Sequence, residues 1–291
     1  MSTARSAHGC SSTASGSSVS ISDAKRGPAT LRITTRDMIF AFILAKLVAT
    51  VAGAVLASSH SDLERLIVTL ASITSMVIFV LLVMLGGKQS IAQVVAATAA
   101  LHKPKGSLFL WLAVAFVAGL AFRFGISGVV LGVLQVVDPQ SIATELNELA
   151  AARNDPTLPL DVLAFLLVLI DATNEEIVYR RILQTYFRAR YGLVIGVIGV
   201  AMAFGAIHAS IPAALVGLWL GLLYLFTGRL WVAAVAHAVG NLGVFAMAAM
   251  QQPGMQGLYL VTCYVAAALM VVTMVLITRS IRKAPWCPGN Q

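Results

Sequence analysis

The chain has 291 residues, of which 59% are hydrophobic and only 11% charged, with a mean hydropathy of +0.88. Soluble globular proteins carry roughly 45–50% apolar and about 25% charged residues, so charge this sparse cannot cover a water-facing surface. A soluble enzyme, a secreted disulfide scaffold and a disordered regulator are excluded, which leaves a polytopic membrane protein. The formal charge of +8 would suggest nucleic acid in a soluble chain. Here the basic residues sit in short segments between apolar runs, the mark of cytoplasmic loops, and no nucleic-acid partner is expected. Cys10, Cys263 and Cys287 are widely spaced and form no C-x-x-C pair, so neither a disulfide framework nor a structural zinc site is indicated.

Residues 1–37 are rich in Ser, Thr, Ala and Gly and carry Arg5, Lys25, Arg26, Arg32 and Arg36. Such a stretch cannot bury enough apolar surface to fold and reads as a disordered cytoplasmic tail. No apolar run precedes Met38, so no secretory signal is expected. From there eight apolar stretches follow, at about 38–57, 66–85, 108–137, 161–187, 192–208, 212–227, 230–250 and 257–278. Each is long enough to cross about 30 Å of hydrocarbon, some only with a modest tilt. Runs this long without period-2 alternation are helices, because lipid leaves no other way to satisfy the backbone. The expected fold is an all-α polytopic helical bundle of about eight transmembrane helices, spanning 38–278 and closed by a short basic tail at 279–291.

Lys and Arg counts set the orientation. The 1–37 tail, the 86–107 loop with Lys88, Lys103 and Lys105, the 188–191 turn, Arg229 and the C-terminal Arg279, Arg282 and Lys283 alternate with segments holding only Arg65 and Arg153. Both termini are therefore expected on the cytoplasmic side. The absence of a mitochondrial-type leader and of lumenal domains points to a prokaryotic plasma membrane.

Ionisable groups inside spans cost about 2.5–3.5 kcal/mol each on insertion scales and mark functional sites by default. Lys46 and Arg123 stand alone in their spans, and a snorkelling or ion-paired structural role is expected for each. The fourth span differs. It reads Asp171-Ala-Thr-Asn174-Glu175-Glu176-Ile-Val-Tyr179-Arg180-Arg181, and no acidic residue follows Glu176 anywhere in the chain. Four residues apart on a helix, Glu176 and Arg180 share a face and can pair. Glu175 points about 100° away and is left without that counter-charge, the position of an adjustable general base. A purely structural ion pair would explain Glu176 and Arg180 but leave Glu175 over.

The fifth span ends in Phe204-Gly-Ala-Ile-His208. With the turn near Tyr191-Gly192, Glu175 and His208 stand about 26 and 24 Å along their helices, and so at one depth. The seventh span carries His237-Ala-Val-Gly-Asn241, whose His and Asn share a face and can direct two donors at one atom. Counted from Arg229, however, His237 lies only about 12 Å and Asn241 about 18 Å from the cytoplasmic end, which conflicts with the depth of Glu175. Gly217, Gly221, Gly228, Gly240 and Gly243 let the sixth and seventh spans approach their neighbours closely.

Taken as a set, Glu175-Glu176-x-x-x-Arg180, Phe204-x-x-x-His208 and His237-x-x-x-Asn241 resemble the motifs of the CPBP family. These are the CAAX-protease-like and bacteriocin-processing intramembrane proteases, including the type II CAAX prenyl endopeptidases. The resemblance covers about 160–250. It implies a peptidase in which Glu175 and His208 activate water, His237 and Asn241 stabilise the oxyanion, and Glu176, Arg180 and Phe204 support them. Arg181 departs from the pattern, since a Gly commonly follows the motif Arg. Glu175, His208 and His237 would also form a three-ligand Zn2+ site with an open position. A metal-free site, which uses the same residues with no ligand count to satisfy, is the preferred expectation. The implied partners are membrane lipids and a protein or peptide substrate, lipid-modified or membrane-embedded. Two other functions draw on the same side chains: a proton or solute relay through Asp171, Glu175, Glu176, His208 and His237, and a non-proteolytic scaffold or immunity factor.

Overall fold

The computed structural model describes residues 31–59, 64–90, 92–94, 106–140, 162–250 and 255–283. Most of the 1–37 stretch and the end of the 279–291 stretch lie outside them. Residues 31–37 are described and packed. Ile33 is buried, the Tyr186 hydroxyl donates to its carbonyl at 2.9 Å, and the Arg32 N–H donates to Gln89 Oε1.

All regular structure among the described residues is helical. Helix α1 covers Thr35–Ser59, α2 Glu64–Gly87 and α3 Leu108–Val137. Helix α4, Val162–Glu176, continues without a break into a π-helix, π1, at Ile177–Gln184 and then into α5, Thr185–Val194. The chain turns back at Gly192, whose φ of 87° only a glycine adopts without steric cost. A second π-helix, π2, at Ile195–Gly199 leads into α6, Val200–Ile207. Helices α7, Ile211–Thr227, α8, Leu230–Ala249, and α9, Gln256–Lys283, complete the bundle.

Among the described residues five stretches are long and apolar enough to cross a membrane: Thr35–Val55, Thr69–Gly87, Leu108–Val137, Leu166–Ile207 and Gln256–Arg279. The fourth of these folds back on itself at Gly192 and supplies two limbs. Ile211–Thr227 and Leu230–Val244 are apolar but shorter. The chain is an all-α integral membrane bundle.

Two packed clusters flank the middle of this bundle. In one, Met38 and Phe42 of α1, Phe79 of α2, Tyr179 of π1 and Phe204 of α6 meet. In the other, Trp111 and Phe122 of α3, Trp219 and Leu220 of α7, and Val232 and Ala236 of α8 meet, with Met270 of α9 closing one side. Helix α3 packs along α8 and α9, so it leaves a gap towards α4. That gap, bounded by Phe204 and Phe122 of the two clusters, holds the polar residues.

The α3–α9 seam depends on a bare backbone at Gly128, where an added Cβ would strike the Cys263 carbonyl. At Gly132 the nearest atom is Tyr264 Cε1 at 3.8 Å, an ordinary contact. Gly128→Ala is expected to cost about 1–3 kcal/mol through overpacking and to lower the thermal unfolding midpoint in detergent. Gly132→Ala should melt with the wild type, and equal midpoints for both variants would contradict the seam.

Candidate active site

Helix α4 presents two adjacent carboxylates in different directions. Glu176 is fully buried, while Glu175 opens to the gap with a side chain 13% exposed. The Glu176 carboxylate has both oxygens engaged. Oε2 accepts from Arg180 Nε at 2.8 Å, and Oε1 accepts from His237 Nδ1 at 3.0 Å. Arg180, also fully buried, lies with its guanidinium 5.7 Å from the centroid of the Phe204 ring. Arg180 sits on the first half of π1, a rare, wide helix type that is frequent at functional sites.

Phe204 links the three motifs. Its ring stacks on His208 at 4.4 Å and 30°, meets His237 edge-on at 5.9 Å and meets Tyr179 at 4.8 Å. Its carbonyl also receives a hydrogen bond from His208 Nδ1 at 2.8 Å. A carbonyl and an ionised carboxylate can only accept, so Nδ1 carries the proton in both histidines. Both Nε2 atoms are thereby directed at one group. His208 Nε2 stands 3.5 Å from Glu175 Oε1, and His237 Nε2 stands 3.8 Å from Glu175 Oε2. Separations of this size suit a water or a shared proton between the partners better than a direct short bond. Exposure falls from 36% at His208 to 13% at Glu175 and 5% at His237, so the constellation runs from an open mouth to a dry floor.

Glu175 stands off the Glu176–Arg180 pair, and its carboxylate faces two imidazoles contributed by other helices. The depth conflict at His237 resolves. Gly228, Arg229 and Leu230 border the same cavity as Arg181, so the α7–α8 link lies beside Arg181 and well inside the Tyr191–Gly192 turn. The climb from Leu230 to His237, about 10 Å, then matches that from Arg181 back to Glu175.

The gap is a cavity of about 360 Å³ that takes in Asp171, Glu175, His208, His237 and Asn241. Asn241 is exposed into it one turn beyond His237. Arg123 and Ser127 of α3 and Ser210 after α6 also line it. Arg123 was expected to be structural, yet it forms part of the opposite wall. Lys46 reaches over the Tyr179 ring at 5.7 Å and acts electrostatically on Asp171, Glu175 and His208. Asp171 hydrogen-bonds Ser72 of α2 one turn before Glu175. Charge inside an apolar span was the available signal for Arg123 and Lys46; only the packing shows where each points.

Among the described residues no three His, Cys, Asp or Glu side chains are arranged to hold a metal ion. Glu175, His208 and His237, the three Zn2+ ligands considered from the sequence, do not form such a group.

The buried pair yields a stability prediction. Arg180→Met leaves Glu176 charged in an apolar setting, and losing one partner of a buried pair costs about 3–5 kcal/mol. The double variant Glu176→Gln/Arg180→Met removes that charge while keeping an acceptor for His237 Nδ1, so it should unfold at a higher temperature than Arg180→Met alone. A double variant less stable than the single one would contradict the pairing.

Residues 158–243 match the family model described as Type II CAAX prenyl endopeptidase Rce1-like. No curated protein and no solved structure matches the chain. The matched segment runs from just before α4 into α8 and contains Glu175, Glu176, Arg180, Phe204, His208, His237 and Asn241. This segment, under a third of the chain, is thus similar to the CAAX-protease-like membrane peptidases.

Proposed function

We propose that the chain is an intramembrane endopeptidase that hydrolyses a peptide bond with a water activated by Glu175 and His208. The observation that carries this reading is the carboxylate of Glu175 set between two imidazole Nε2 atoms at the mouth of a cavity within a membrane bundle. A water bridging Glu175 and His208 gives a proton to this pair as its oxygen attacks the scissile carbonyl. The tetrahedral oxyanion takes donors from the Asn241 side-chain amide and from Nε2 of His237, which enters and leaves the reaction as the imidazolium with its Nδ1–H on Glu176. The C–N bond then breaks, and the proton held by Glu175 and His208 passes to the departing amine. The products are a carboxylic acid and an amine, which ionise to carboxylate and ammonium, so atoms and charge balance.

The other motif residues position these groups. Glu176 fixes the tautomer of His237, Arg180 fixes Glu176, and Phe204 orients both imidazoles. A positioned acid–base group contributes about 10²–10⁴ in rate, and an oxyanion donor about 10²–10³. The substrate is a protein or peptide, lipid-modified or membrane-embedded, since a cavity at this depth is reached through the bilayer. In this reading both termini lie on the cytoplasmic side, as the alternation of Lys and Arg between loops supports.

The test compares protein termini in native cells carrying wild type or Glu175→Gln at matched membrane levels. Termini present in the wild type should vanish in Glu175→Gln and in His208→Ala. With a substrate found in this way, Asn241→Ala should lower kcat about 10²–10³-fold. The wild type should also keep its activity in the presence of a metal chelator. Termini that persist unchanged in Glu175→Gln would overturn the proposal.

A further inference from the structure

Arg180 carries more donors than Glu176 can use. Its Nε–H is committed to Glu176 Oε2, but neither Nη1 nor Nη2 meets an acceptor among the described residues, although the side chain is fully buried. A charged donor left unpaired in an apolar interior is costly, so such groups are almost always satisfied, by protein or by ordered water. Gln184, four residues further along π1 and 1% exposed, has the complementary need. Its Nε2–H donates to the Gly221 carbonyl of α7 at 3.0 Å, while its Oε1 accepts from no described group.

Donors and acceptor meet around one point. Gly221 has no side chain, and the place where its Cβ would stand lies 3.0 Å from Gln184 Oε1 and 3.6 Å from Arg180 Nη1. The two atoms are thus neighbours that share no direct bond, a separation that one water spans with two hydrogen bonds. Gly217, four residues earlier on α7, lies close against Ala201 and the Phe204 Cβ. The bare edge of α7 therefore runs beside both Arg180 and Phe204. Glu176 already neutralises Arg180, so a second anion in this buried place would be left without a counter-charge. The ligand that fits is neutral, accepts from the guanidinium and donates to Oε1, and water does both.

We propose that a buried water sits in the fork of Arg180 Nη1 and Nη2 and donates to Gln184 Oε1, which makes Gln184 the positioning residue for Arg180. The water accepts two hydrogen bonds and gives one, about the three that buried waters typically make. Gln184, held in turn by the Gly221 carbonyl, ties α7 to the line that runs from Arg180 through Glu176 to His237. The inference rests on the buried Glu176–Arg180 pair and not on the peptidase reading.

The test is NMR of the full chain in detergent, labelled with nitrogen-15 in arginine and assigned by Arg180→Lys. A guanidinium locked through both Nη groups turns slowly and gives separate Nη signals, whereas a loose one gives a single averaged signal. The wild type should show separate Arg180 Nη signals with cross-peaks to a long-lived water. Gln184→Met and Gln184→Glu both lose the bond to the Gly221 carbonyl, and only the second keeps an acceptor for the water. Gln184→Met should merge the Nη signals and speed their proton exchange about tenfold, the worth of one such hydrogen bond. Gln184→Glu should keep them separate. An averaged Arg180 signal in the wild type, or no cross-peak to water, would overturn the proposal. A Gln184→Met spectrum like that of the wild type, or a Gln184→Glu spectrum as averaged as that of Gln184→Met, would overturn it as well.

Discussion

The organisation of the polar centre depends on one carboxylate, that of Glu176. It is fully buried in an apolar bundle, where an unpaired charge is very costly. Its two oxygens are used in different directions, one on Arg180 of its own helix and one on His237 of α8. Buried ion pairs contribute little net stability because desolvation offsets their attraction, and their best-attested role is to fix one arrangement over others. Here the arrangement fixed is the register of α4 against α8 and the tautomer of His237. With Nδ1 committed to Glu176, only Nε2 remains to face Glu175. The same logic recurs at His208, whose Nδ1 is committed to the Phe204 carbonyl. Two imidazoles from two helices thus aim their free nitrogens at a third group.

The helices around this centre differ in length for a reason the site makes plain. Helix α3 crosses the full thickness at 30 residues and packs on α8 and α9. Its separation from α4 creates the cavity. Helix α7, at 17 residues, covers only about 26 Å, and its end lies beside Arg181. The shortened return brings the start of α8 up to a level from which His237 reaches Glu176. A full-length α7 would place His237 well away from the carboxylates. The aromatic contacts from Phe79 through Phe42, Tyr179 and Phe204 then tie α1 and α2 to the same point.

Much of this was legible in the sequence for identifiable physical reasons. Apolar runs reveal membrane helices because lipid permits so few alternatives, and the Gly192 turn is marked by a residue that tolerates its φ. Helical spacing is local, so the Glu176–Arg180 pair and the shared face of His237 and Asn241 could be read directly. Counting along the hairpin put His208 level with Glu175, but the approach of His237 to the same carboxylate could not be read, because it arises from packing between distant helices. The level of His237 was misjudged because counting from Arg229 assumes that every loop lies at the same height. Neither π-helix has a signature in composition, although π1 carries Arg180 and Arg181. Lys46 and Arg123 stand out as charges, but their approach to the site depends on which face of each helix meets its neighbours.

The claim on which the account depends is that Glu176 holds the proton of His237 on Nδ1 and so turns Nε2 towards Glu175. Nitrogen-15 NMR of the histidine-labelled protein at neutral pH, with His237 assigned by substitution, tests it most directly. The account predicts a protonated, hydrogen-bonded Nδ1 in the wild type and a clear change of that resonance in Glu176→Ala. A His237 whose Nδ1 bears no proton, or whose spectrum is indifferent to Glu176→Ala, would contradict it.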